Sequence, residues 1–218
     1  GAIWYQGEAN VGDGMAYRDN MQALIGGWRE VWGQGDFPFY FVQITPFTYG
    51  RQKPDRLPQL WEAQTAAMAI PNTGMVVTTD IADLKDIHPK DKQTVGKRLA
   101  LWALARTYGL KDVVCCGPIY KSMKVEGNKI RITFDHIGGG LAIRGRTPRD
   151  RVLEWFDIAG KDRKFEKAYA ELQNDTIVVW SDVVPEPLAV RYAWHMTAEP
   201  RLMNKEGLPA SPFRTDTW

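Results

Sequence analysis

Apolar and polar positions divide the chain into two stretches with different periods. In the first, short apolar runs alternate with segments of helical spacing. Ile3-Trp4-Tyr5, Phe37 to Ile44 and Gly74-Met75-Val76-Val77 running into Thr78 read as buried strands. Met15 to Trp32 carries Met21, Leu24, Ile25, Trp28, Val31 and Trp32 at helical spacing and stops at Gly33-Gln34-Gly35. Leu60 to Ile70 predicts a second helix, with Trp61, Thr65 and Met68 in one register, ended by Pro71-Asn72. Asp91 to Tyr108 predicts a third, with Val95, Leu99, Trp102, Ala103 and Arg106 on one side. Strand and helix alternating three times, with right-handed crossovers, predict a parallel sheet flanked by helices.

After Gly109 the period changes to two. Lys124 to Phe134 alternates on both sides of Gly127-Asn128, a hairpin signature. Glu154 to Ile158, Phe165 to Leu172, Thr176 to Trp180 and Ala189 to Trp194 are further short strands between turn signals. Such spacing predicts a small module like a β-sandwich. The expected division is an α/β part over 1–112 and a β-rich module over 113–218, whose proline-rich end, Gly207 to Thr215, lies extended.

Two polar loops follow predicted strands, and in a parallel sheet both emerge at its carboxyl edge, where α/β folds place their chemistry. Thr78 to Pro89 holds the carboxylates Asp80, Asp83 and Asp86 and the imidazole of His88, one of three histidines in the chain. A histidine with an aspartate nearby to fix its tautomer is a candidate general base. Gln6-Gly7-Glu8-Ala9-Asn10 offers side-chain amides that can donate to a developing oxyanion, or cap the helix that follows. His136 and His195 fall in the β-rich region and read as structural. Thr45 to Pro58 is a long, basic loop in which Phe47 and Tyr49 are suited to stacking on a sugar.

Composition narrows the classes. A net charge of +2, with no stripe of Lys and Arg among aromatics, argues against nucleic acid. No apolar run approaches the roughly 18 residues of a membrane span. Cys115 and Cys116 are adjacent and read as idle thiols. No Cys/His spacing suggests a metal site and no glycine-rich loop a phosphate cradle, so neither metal nor cofactor is expected. The chain opens at Gly1 on what reads as the middle of a strand, which suggests a piece of something longer or one chain of a cleaved pair.

Three segments, in this order, resemble the sialate O-acetylesterases of the SGNH hydrolase superfamily: Trp4 to Asn10, Asp86-Ile87-His88-Pro89-Lys90-Asp91-Lys92 running to Gly96-Lys97-Arg98-Leu99-Ala100, and Val190 to Trp194 with Gly207 to Thr215. The resemblance implies the carboxyl-terminal portion of a flavodoxin-like parallel sheet and hydrolysis of O-acetyl esters on sugars by a serine, without metal. It implies His88 as general base and Gln6 or Asn10 as oxyanion donor, Gln6 being preferred. Glu8 is expected to brace the Gln6–Asn10 loop rather than react and, with Tyr49 of the basic loop, to bind substrate; the resemblance also implies work outside the cytoplasm. The acid that such enzymes carry three residues before the histidine is replaced by Lys85, so Asp86 is the preferred partner of His88, with Asp83 or a backbone carbonyl as alternatives. Ser122, Ser181 and Ser211 all lie in the β-rich region and none in a Gly-(Asp/Gln)-Ser block. The nucleophile is therefore expected from a serine-bearing chain or segment outside this sequence. The alternative is a non-catalytic carbohydrate-binding or interaction remnant of the fold.

Overall fold

A computed structural model describes residues 1–145 and 152–218. The chain forms two compact units, Gly1–Cys116 with His195–Thr197, and Gly117–Trp194 with Ala198–Trp218.

The first unit runs β1 (Ala2–Trp4), α1 (Ala16–Trp32), β2 (Phe39–Val42), α2 (Arg56–Ala66), β3 (Thr73–Val76) and α3 (Lys92–Trp102). The strands pair in parallel in the order β1-β2-β3, with Trp4 beside Phe41 and Phe41 beside Met75. The central strand is buried at every residue, and its side chains alternate between two cores. Phe39 and Phe41 join Met21, Ile25, Leu60 and Trp61 of α1 and α2. Tyr40 and Val42 join Val95 and Trp102 of α3. β1 is an edge strand, and Ile3 on it is 70% exposed.

The helices depart from the predicted faces for local reasons. The buried line of α1 is Tyr17, Met21, Ile25 and Arg29, whereas Val31 is 82% exposed. Six residues beyond Ile25, Val31 has rotated far from that line. Arg29 takes a core position because its guanidinium donates to the carbonyls of Phe37 (2.8 Å) and Pro71 (2.7 Å), which close the loops before β2 and β3. Helix α2 starts at Arg56, earlier than its apolar spacing predicts, and Pro58 sits in its first turn, where a missing N–H costs no hydrogen bond. Helix α3 stops at Trp102 and continues as a π turn, Ala103–Thr107, which leaves Arg106 exposed instead of on the buried side.

Gly74 fixes how closely α3 approaches the sheet. A Cβ there would lie 2.4 Å from Cδ2 of Trp102, whose indole N–H donates to the Met75 carbonyl at 2.9 Å. Gly74→Ala is expected to cost about 1–3 kcal/mol through overpacking, seen as a lower denaturation midpoint at an unchanged denaturant slope.

The second unit is antiparallel throughout its described residues. Its strands are β4 (Ile119–Glu126), β5 (Lys129–Asp135), β6 (Leu141–Ile143), β7 (Val152–Leu153), β8 (Phe156–Ala159), β9 (Phe165–Lys167), β10 (Tyr169–Gln173), β11 (Thr176–Trp180), β12 (Ala189–Tyr192), β13 (Leu202–Asn204) and β14 (Phe213–Arg214). They form sheets ordered β4-β5-β11-β10-β7, β14-β12-β8-β9 and β13-β6. Ile130, Ile132, Ile177 and Val179 share one apolar cluster with Phe156, Ile158, Val190 and Tyr192, so the two larger sheets enclose a common core. Gly127, at φ 64°, makes the β4–β5 turn. The proline-rich end pairs through β14 with β12, and Arg191 grips the buried Asp216 in a two-pronged ion pair (2.9 and 2.7 Å).

His195 belongs to the first unit, not to the β-rich one. The Met196 carbonyl accepts from Phe47 N (3.0 Å), Met196 N donates to the Pro54 carbonyl (2.8 Å), and the Met196 side chain is buried in the core of α1 and α2. These residues brace the loop that carries Tyr49.

Candidate active site

The loop after β1 is built on Tyr17 of α1, whose hydroxyl donates to the Gln6 carbonyl at 2.8 Å. Gln6 Nε2 donates to Asn10 Oδ1 (2.8 Å) and Asn10 Nδ2 donates to Asp13 Oδ2 (2.8 Å). The two candidate oxyanion donors are thus links of one chain of amides. Each NH2 group has two protons, so each retains one for a ligand. Glu8 accepts from Gly7 N through Oε2 (3.1 Å).

The loop after β3 is anchored at its start. Arg98 of α3 donates to both Asp80 oxygens (2.7 and 2.6 Å) and to the Val77 carbonyl (2.8 Å), closing helix, loop and strand end together. Asp83 turns back on its own loop and accepts from Lys85 N (3.0 Å). Asp86 accepts from His88 N (2.9 Å), and its Oδ1 lies 3.8 Å from His88 Nδ1. That separation is within ion-pair reach and beyond a hydrogen bond. The His88 side chain is 81% exposed. Asp91 caps α3, accepting from Thr94 N (2.9 Å) and Thr94 Oγ1 (2.6 Å), and these bonds hold its carboxyl below the ordinary carboxylate range.

Because the sheet is parallel, both loops leave its carboxyl edge. Tyr5 links them. Lys92, at the start of α3, places its ammonium 5.0 Å over the Tyr5 ring. Burial, and then the negative charge of Glu8, push the Tyr5 phenol up to about 12, and the same two causes raise that of Tyr49. Tyr49 stands edge-on to Phe47, ring centroids 5.1 Å apart. The structure therefore joins Gln6 to Asn10 and sets Asp86 beside His88, and the Glu8 charge is felt by the Tyr49 phenol. Among the described residues no hydrogen bond or ion pair joins His88 to Gln6 or Asn10. The unit that carries both loops contains no serine. Ser122 pairs with Thr133 on the surface, and Ser181 and Ser211 are buried, all in the second unit. Among the described residues no group of three or more His, Cys, Asp or Glu side chains is placed to hold a metal ion.

A family model described as carbohydrate esterase, sialic acid-specific acetylesterase, matches residues 1–105, the stretch that holds both loops. The human sialate O-acetylesterase is 35% identical over 147 residues, covering 59% of this chain and 28% of that protein. The mouse sialate O-acetylesterase is 34% identical over 216 residues, 89% of this chain and 39% of that protein. The crystal structure of a carbohydrate acetylesterase from Xanthomonas citri superposes with a TM-score of 0.92 at 40% identity, over 100% of this chain and 50% of that one. This chain belongs to the sialate O-acetylesterase family. It spans less than half the length of those two mammalian relatives and half of the bacterial structure.

For a sialate O-acetylesterase chain, the residues that periodicity singles out are those flanking the strand ends, Asp80 among them, and two that organise the edge, Arg98 and Tyr5, escape it. Arg98 falls in register with Val95 and Trp102, a spacing that puts it on the buried face of α3, but a cation there reads as solvent-exposed unless its carboxylate is known. Asp80 is that carboxylate. Tyr5 reads as one more strand residue, and its hydroxyl becomes informative only when the ends of β2 and β3 are brought beside it.

Proposed function

We propose that this chain is the part of a carbohydrate O-acetylesterase that carries the general base and an oxyanion donor, acting on sialic acid-type sugars. The observation that carries the reading is that the His88 loop and the Gln6–Asn10 loop leave one sheet edge in a unit without a serine. The nucleophile is then a serine from outside these 218 residues, on a separate chain or on another segment of a longer one. The exposed Ile3 on edge strand β1 supports this, since such an edge invites a further strand.

In this reading the serine oxygen attacks the acetyl carbonyl while His88 accepts the serine proton. The carbonyl oxygen, now negative, takes an N–H from Gln6 or Asn10. His88 returns the proton to the departing sugar oxygen, and water, deprotonated by the same imidazole, releases acetate from the serine. Asp86 orients His88, while Glu8 and Tyr49 contact the sugar. The flavodoxin-like SGNH sheet and the division into an esterase part over 1–112 and a β-rich module over 113–218 belong to the same proposal.

The test is intact mass and subunit composition of natively purified protein, with p-nitrophenyl acetate hydrolysis measured on the same sample. A serine-bearing chain or segment joined to these residues, with hydrolysis, is the expected result. Hydrolysis by the 218 residues alone would refute the external nucleophile. A preparation holding both parts and hydrolysing nothing would leave the binding remnant as the better reading.

A further inference from the structure

We propose that Tyr5, on the sheet edge that also carries Glu8, Tyr49 and the Gln6–Asn10 and His88 loops, reads the hydroxyl groups of the acetylated sugar and so sets its preference over simple acyl esters. The inference rests on the esterase reading above and adds a residue and a recognition chemistry to it.

The argument begins with hydrogen bonds that the fold leaves unmade. The hydroxyl oxygens of Tyr5 and Tyr49 are buried, and neither has a hydrogen-bond partner among the described residues. The Thr45 and Thr78 hydroxyls neighbour the Tyr5 phenol without reaching hydrogen-bond geometry with it. A third such hydroxyl stands at the same edge on Thr79, a residue only 1% exposed. Buried hydroxyls without partners are uncommon in folded proteins, because removing one from water without replacing its bond is unfavourable. Several at the mouth of one sheet point to a ligand that completes them.

The chemistry of that ligand follows from the groups present. Both phenols are protonated at neutral pH, as an unshifted tyrosine is, so each offers a donor. Glu8 uses Oε2 on Gly7 N and makes no described bond through Oε1, which offers an acceptor. Donors and an acceptor on one sheet edge complement groups that both give and accept protons, as sugar hydroxyls do. A simple acyl ester has acceptors alone and leaves the carboxylate unmatched. Lys92 over one face of the Tyr5 ring, and Phe47 edge-on to Tyr49, hold the rings without using their oxygens.

Tyr5→Phe and Tyr49→Phe each delete one oxygen and keep the ring, in protein expressed from its complete gene. Tyr5→Phe is expected to lower kcat/KM for an O-acetylated sugar relative to p-nitrophenyl acetate by about tenfold, mainly through KM. Its thermal midpoint is expected to hold or rise, since an unpaired buried hydroxyl has gone. An unchanged substrate ratio, or a lower midpoint, would overturn the proposal. If the wild type hydrolyses neither ester, calorimetric titration with the acetylated sugar still decides: binding weakened about tenfold by Tyr5→Phe sustains the inference while the esterase reading fails, and no binding, or equal binding, ends it.

Discussion

Replacing His88 by alanine is expected to lower kcat for acetyl ester hydrolysis about a thousandfold while leaving the protein as stable as before. The size follows from the role, since a positioned general base contributes of order 10²–10⁴. The unchanged stability follows from the site. The ring is 81% exposed, and the bond that shapes the loop runs from the backbone N–H of His88 to Asp86, which alanine retains. The partner is separable by the same logic. Asp86→Asn keeps an oxygen to accept from His88 N but loses the charge beside Nδ1, whereas Asp86→Ala loses both. If Asp86 orients the imidazole, both variants lose activity and only the alanine also loosens the loop. If its task is to shape the turn, asparagine is nearly neutral. Initial rates with p-nitrophenyl acetate, paired with thermal unfolding, separate these cases. A His88→Ala protein that still turns over at the parent rate would remove His88 from the mechanism.

The edge on which these residues sit was legible because strand, loop and helix differ in period. Continuous apolar runs set β1, β2 and β3, and a parallel sheet leaves its loops on one side without further information. What periodicity could not supply is any group whose place depends on a partner distant in sequence. Arg29 and Arg98 occupy core positions because carbonyls and a carboxylate await them there. His195–Thr197 follows a β strand yet joins the α/β unit through two backbone bonds and one buried methionine. Sequence favours Gln6 over Asn10 without separating them, and the structure bonds the Gln6 amide to that of Asn10 and the Asn10 amide to the Asp13 carboxylate. The β-rich unit was readable as short strands, whereas its sheet order rests on pairings such as β5 with β11 that no local pattern encodes.

The contact whose loss should be felt most in stability is the Asp80–Arg98 pair. Both side chains are only 9% exposed, and the guanidinium also satisfies the Val77 carbonyl. Arg98→Met fills much of the same volume but takes the guanidinium from a buried carboxylate, for which the expected cost is about 3–5 kcal/mol. In a protein of this size that lowers the thermal midpoint by on the order of 10 °C. Asp80→Leu in the Arg98→Met background removes the buried charge, so the double variant is expected to regain a large part of the loss. Activity should not return with it. Asp80 opens the loop that ends at His88, and its ion pair fixes where that loop departs from the sheet; an apolar contact at the same place has no directional preference. Stability recovered without activity would mean that the pair is kept for geometry, whereas recovery of both would reduce it to an ordinary core contact.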